Sequence, residues 1–121
     1  MVVPRRSPHR SELQDALQQL GARRVEAALV ASLVEEGPLG TRDIVQRTGL
    51  RQPEVSVGMQ TLRERSWVEA EAMPRHGKGR PMHRYKLVAP AGAIRRHYEA
   101  EAKKTIGTVE TAIDVLKRRL A

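Results

Sequence analysis

Cysteine is absent from all 121 residues. That excludes disulfides, thiolate catalysis and cysteine-ligated zinc. Phenylalanine is absent too, and the aromatics are Trp67, Tyr85 and Tyr98 alone. A base-stacking platform for single-stranded nucleic acid needs a row of aromatics, so that binding mode is excluded. No apolar run reaches the ~18 residues of a membrane-spanning helix. The start, MVVPRRSPHR, leads into no apolar stretch and does not read as a secretory signal. The expected location is therefore cytoplasmic and nucleoid-associated. Catalytic constellations are lacking as well. There is no paired-carboxylate or nucleophile-base set, and the glycines of HGKGRP have neither Walker spacing nor a following Ser or Thr. The histidines His9, His76, His83 and His97 show no ligand spacing, so neither a metal site nor a cofactor is expected.

What is present is positive charge. The formal net charge is +8, and 17 Arg stand against 5 Lys. A basic chain favours anionic partners, and nucleic acid draws much of its affinity from phosphate neutralisation. Arginine suits this role because its fork pairs with phosphate and guanine through two hydrogen bonds.

The length fits one domain of modest core. Residues 1–10 carry two prolines and three arginines and read as a flexible basic arm. Ser11 can cap a helix starting at Glu12, with Leu13, Leu17 and Leu20 at helical spacing and Gly21 to end it. A stronger helix is predicted over Ala22 to Glu36, with Val25, Leu29, Ser32 or Leu33, and Glu36 on one face. Gly37-Pro38 stops it.

The stretch TRDIVQRTGLRQPEVSVGMQTLRERS, residues 41–66, organises the rest. Thr41 is expected to cap a short helix with Asp43 in its first turn and Ile44 and Val45 on its buried side. Gly49 can take the positive φ that ends it. Pro53 suits the first turn of the next helix, on which Val55, Met59, Leu62 and Ser66 form one stripe. Val57, Gln60, Thr61 and Glu64 fall opposite, with Gln52, Glu54, Ser56 and Arg63 on the flanks. Helix, tight turn, helix is the helix-turn-helix device, which lays its second helix in the DNA major groove.

Two alternating stretches, WVEAEAM (67–73) and MHRYKLV (82–88), read as strands joined by PRHGKGRP (74–81). From Arg75 to Lys86 there are five Lys or Arg, two His and no acid. This hairpin is expected to touch phosphate or a groove. Gly77-Lys78-Gly79-Arg80-Pro81 is similar to the Gly-Arg-Pro core of minor-groove AT-hooks, and both insertion and phosphate-only contact stay open. After Pro90 and Gly92 comes a long helix, about Ala93 to Leu120. Its apolar positions Ile94, Tyr98, Ala102, Ile106, Val109, Ile113, Leu116 and Leu120 step by fours and threes, a heptad seam. At 1.5 Å per residue it would run about 42 Å, longer than so small a domain needs for itself. A second copy of the same helix is the expected partner.

The order helix, helix, helix, strand, wing, strand, long helix resembles the winged helix-turn-helix regulators of the MarR, ArsR and TrmB-like groups. The segments TRDIVQRTGL, PEVSVGMQTLRERSWVE and GKGRPMHRYKL carry the resemblance, over roughly residues 22–90. It implies a DNA-bound homodimer, a reading helix near Gln52 to Arg65, and a wing tip at His76 to Arg80. Three features depart from the pattern: Val57 stands where a base is frequent, Ser66 replaces a turn glycine, and the Cys or His clusters of ArsR-type metal sensors are missing.

The expected fold class is mostly α with a small β-hairpin (α+β). Residues 11–89 would form the winged domain and 90–121 the dimerisation helix. The expected function is a non-enzymatic, double-stranded DNA-binding transcription regulator acting as a homodimer. Base-reading candidates are Gln52, Glu54, Ser56, Val57, Gln60 and Thr61: Gln can pair with adenine, Glu can accept from cytosine, and Val57 can meet a thymine methyl. Arg42, Arg51, Arg63, Arg75, His76, Lys78, Arg80 and Arg84 are the backbone and wing candidates. Two other classes stay open from sequence: an architectural DNA binder with little sequence preference, and a protein-interaction winged helix within a larger assembly. Nothing in the sequence marks a small-molecule effector pocket.

Overall fold

The computed structural model describes residues 11–73 and 83–121. Its elements, in chain order, are α1 (Glu12–Gln19), α2 (Arg24–Glu36), β1 (Leu39–Gly40), α3 (Thr41–Thr48), α4 (Gln52–Glu64), β2 (Val68–Ala72), β3 (His83–Leu87) and α5 (Ala91–Arg119). The helices expected from sequence are all present, so the mostly helical class holds. The sheet has three antiparallel strands in the order β1-β3-β2 rather than a lone hairpin. Leu39 pairs with Tyr85 and Gly40 with Arg84, while Val68 to Ala72 pair with Leu87 to His83. β1 is too short for any alternation to show in the sequence.

β1 also corrects the start of α3. Gly40 is the N-cap and Thr41 is the first helical residue, with no side-chain cap bond. The chain runs from strand pairing straight into the helix, so the cap position falls on the last paired residue. The cap at Ser11 is as expected: its side chain accepts from the Gln14 N–H at 2.9 Å.

α2 is the centre of the core. Ala27, Ala28, Leu29, Val30, Ala31, Ser32 and Leu33 are all buried, not one stripe only. The helix touches α1, α3, α4 and β3, so between its first and last turns it has little outward side. The expected face at Glu36 is instead solvent-exposed, and Glu36 pairs with Arg47 at 2.8 Å. Ile44, Leu50, Val55, Met59 and Leu62 close on α2 from α3 and α4. Burying each such side chain contributes about 1.5–3 kcal/mol.

Two helix ends use the same hydrogen-bond pattern. After α1, Ala22 N–H bonds Leu17 O and Gly21 N–H bonds Gln18 O, both at 3.0 Å, with Gly21 at φ +108°. After α4, Trp67 N–H bonds Leu62 O at 3.0 Å and Ser66 N–H bonds Arg63 O at 2.9 Å. Both are Schellman motifs, which place their turn residue in the left-handed region. Ser66 occupies that place at φ +64° and does the work of the glycine that the resemblance leads one to expect.

The apolar seam of α5 divides in two. Ile94 and Tyr98 are 5% and 3% exposed and belong to the chain's own core. This corrects their assignment to a dimer surface: the first turns of α5 complete the winged domain, because α1 and α2 alone leave that side of the core uncovered. Ala102 is half-buried, and every residue from Lys103 onward is exposed. Ile106, Val109, Ile113, Leu116 and Leu120 thus stand in solvent within the single chain.

Candidate nucleic-acid interface

The turn between α3 and α4 is built locally. Gly49 is left-handed at φ 76°, and its N–H bonds Val45 O at 2.9 Å. The Thr48 hydroxyl donates to Ile44 O at 2.7 Å and accepts from Leu50 N–H at 3.1 Å. Leu50 is buried beneath the turn. α4 then starts with a closed cap: the Glu54 carboxylate accepts the Arg51 N–H at 2.9 Å.

α4 has two faces. Val55, Gly58, Met59 and Leu62 point into the core. Gly58 allows the close approach to α2, since a Cβ there would lie 2.5 Å from Leu29 Cδ1 and 2.9 Å from Val25 Cγ1. Sequence periodicity passed over Gly58, and a glycine inside a helix, at a cost of about 1 kcal/mol, is the signal that could have found it. Gln52, Ser56, Gln60 and Arg63 are exposed on the outward side, and Val57 is 69% exposed. A valine left in water on a helix backed by its own core is available for apolar contact, and a thymine methyl is one such contact.

Glu54, Thr61 and Arg84 are placed differently from expectation. Glu54 is not free to read a base: Oε1 accepts the Arg51 N–H and Oε2 accepts Arg24 Nη2 at 3.0 Å. Its carboxyl is held below the usual range, first by the Arg51 backbone hydrogen bond; desolvation opposes this, and the charges of Arg24 and Arg51 add to the lowering. Thr61 is half-buried, and its hydroxyl donates to Val57 O at 3.4 Å. Arg84 is engaged by Glu71 at 2.7 Å, and Lys86 meets the same carboxylate at 3.3 Å. The cross-strand pairing of Glu71 with Arg84 brings these charges together. Arg42, Arg51 and Arg63 are exposed. Arg75, His76, Lys78 and Arg80 of the wing lie outside the described residues.

The far end of α4 is fastened to α2 and α5. Arg65 reaches Glu26 through two hydrogen bonds, Nη1 to Oε2 at 2.7 Å and Nη2 to Oε1 at 3.3 Å. The Tyr98 hydroxyl donates to the same carboxylate. The guanidinium also lies 4.9 Å from the Trp67 ring centroid, and Trp67 meets His97 and Tyr98 edge to face.

Solved structures share this fold. A possible transcriptional regulator from Methanosarcina mazei Go1 superposes with a TM-score of 0.55 at 13% identity, over 83% of this chain and 85% of the other. A MarR family regulator from Neisseria meningitidis gives 0.51 at 14% identity, over 88% and 84%. The chain has the MarR-type winged helix-turn-helix fold. BpsR of Bordetella bronchiseptica, whose DNA binding is regulated by 6-hydroxynicotinic acid, has it too, with a TM-score of 0.53 at 16% identity over 88% and 89%. No protein-family model and no curated protein matches the sequence itself. In winged-helix terms, α3 and α4 are the helix-turn-helix, and β2 and β3 are the stems of the wing. Among the described residues, no group of three or more His, Cys, Asp or Glu could hold a metal ion, and no helix is long and apolar enough to cross a membrane.

Proposed function

We propose that this protein is a double-stranded DNA-binding transcription regulator of the cytoplasm that works as a homodimer. α4 enters the major groove, and the wing lies on the backbone or in the minor groove. The observation that carries the reading is the outward face of α4. Gln52, Ser56, Val57 and Gln60 stand exposed on a helix fixed from behind by Val55, Met59 and Leu62. Polar and methyl-bearing side chains on a rigid helix are what base-edge readout requires.

That face is poor in cations, so affinity draws on the wing basics and on doubling of the site. The exposed half of α5 supplies the second copy's contact surface through Ile106, Val109, Ile113, Leu116 and Leu120. In vitro selection of bound duplexes, followed by footprinting and a mobility-shift series over salt, tests this. The expected result is a protected two-fold site whose affinity falls steeply with salt. Failure to bind any duplex at about 50 mM salt sinks the reading. Uniform coverage without a discrete site would make it an architectural binder instead, and a monomer in light scattering would favour the protein-interaction class.

A further inference from the structure

Arg24 stands on the first turn of α2, outside the helix-turn-helix, yet it is tied to the reading helix. Its Nη2 lies 3.0 Å from Glu54 Oε2, while the side chain stays 59% exposed. Gly58 explains the proximity. With no Cβ between α4 and the Val25 and Leu29 side chains, the start of α2 lies directly against the outward edge of α4. Between them runs an open, mainly apolar cleft of about 470 Å³, lined among others by Arg23, Arg24, Pro53, Val57 and Thr61. Two arginines therefore border the exposed valine from the side of α2. Arg51, 82% exposed at the start of α4, lies 3.7 Å from Glu54 Oε1 through its Nε.

We infer that the DNA surface extends onto α2, with Arg24 as a phosphate-contacting residue and Glu54 as the positioning residue that aims it. This rests on the DNA-binding reading. Glu54 has both oxygens engaged, one with the Arg51 N–H and one with Arg24, so neither is spare for a cytosine amino group. Arg24 uses one of its five N–H donors on Glu54. The others face solvent beside the base-reading row. An arginine pre-aimed by a carboxylate loses less side-chain freedom on meeting phosphate than a free one does. The pair thus converts an acidic residue at the start of the reading helix into an anchor for a cation.

The test uses the full chain and a duplex obtained by selection, with affinity measured over a salt series. Wild-type binding comes first. If the wild type binds no duplex, the DNA-binding reading fails, and this inference falls with it. Given binding, R24A should weaken affinity about five- to tenfold on cognate and scrambled duplexes alike and make the salt slope shallower by about 0.9. R24K should restore the slope but only part of the affinity. E54Q should bind more weakly than wild type and select the same bases. In the R24A background it should bind more tightly than R24A alone, because it removes an unpaired carboxylate facing phosphate. Unfolding curves report whether each variant keeps its fold. Wild-type affinity and slope in folded R24A would overturn the assignment, as would an E54Q protein whose preference changes at one base position.

Discussion

Arg65 and Glu26 meet in a two-point ion pair, at 2.7 and 3.3 Å, that joins the C-terminal cap of α4 to the central helix α2. Tyr98 of α5 adds its hydroxyl to the same carboxylate, so three helices share one anionic centre. The pair is partly shielded, with side-chain exposures of 31% for Arg65 and 12% for Glu26. R65A leaves Glu26 with an unmatched charge at a half-closed site. The expected loss is about 2 kcal/mol, below the ~3–5 of a fully buried pair. Urea unfolding measures it; a loss under about 0.5 kcal/mol would mean water replaces the guanidinium without penalty.

The same carboxylate sets an acid limit. Burial pushes the Glu26 pKa up, but hydrogen bonds from Arg65 and Tyr98 and the nearby positive charge outweigh it, so the pKa stays below the ordinary 4.5. Glu71 is held below the same value, chiefly by Arg84. A depressed folded pKa contributes stability that is fully present above the unfolded value and is lost as pH falls through the folded one. Stability should therefore be flat in this respect above about pH 5 and decline below 4.5. In E26Q the decline should be shallower, which unfolding curves at several pH values would show.

Two helical glycines should respond in opposite directions to alanine. At Gly107 a Cβ meets nothing within 4 Å, so G107A should stabilise α5 by up to about 1 kcal/mol through helix propensity. At Gly58 a Cβ lands 2.5 Å from Leu29 Cδ1 and 2.9 Å from Val25 Cγ1, and Leu29 is fully buried. Overpacking of about 1–3 kcal/mol exceeds the propensity gain, so G58A should destabilise. Thermal melts of both variants side by side test the pair.

Ser66 holds a left-handed conformation that costs a non-glycine residue about 1 kcal/mol or more. S66G removes that strain at an exposed position, while the glycine's greater freedom in the unfolded chain offsets part of the gain. Net stabilisation of about 0.5 kcal/mol is expected. S66V should destabilise by more than 1 kcal/mol, since β-branching disfavours positive φ, about 64° here. Denaturant midpoints of the two variants should move in opposite directions.

The divided seam of α5 predicts two separable phenotypes. I94A empties a core position and should cost about 2–5 kcal/mol in every assembly state. L116E changes a residue that is 56% exposed in the single chain and should leave the subunit's helix content intact. If the homodimer forms as proposed, L116E should convert it to monomer in light scattering. A dimer unchanged by L116E and I113E together would place the contact elsewhere.

Local chemistry made much of this protein legible from its residues. Ser11 before a periodic run, Gly49 at a helix end, and Pro53 in a first turn each act within a few residues. The buried stripe Val55, Met59 and Leu62 also follows from period alone. The sequence by itself thus determined the helices, the turn between α3 and α4, and the outward row of α4. Only the tertiary structure decided which partners the charges take. Glu54 reads as a base contact until Arg24, 30 residues away, closes on it. Arg84 reads as a phosphate contact until the strand register sets it beside Glu71. Ile94 and Tyr98 continue the same seam as Leu116, yet the packing of α1 and α2 draws them inward. Periodicity says which residues share a face; it carries no record of what that face meets, because such contacts join residues distant in the chain.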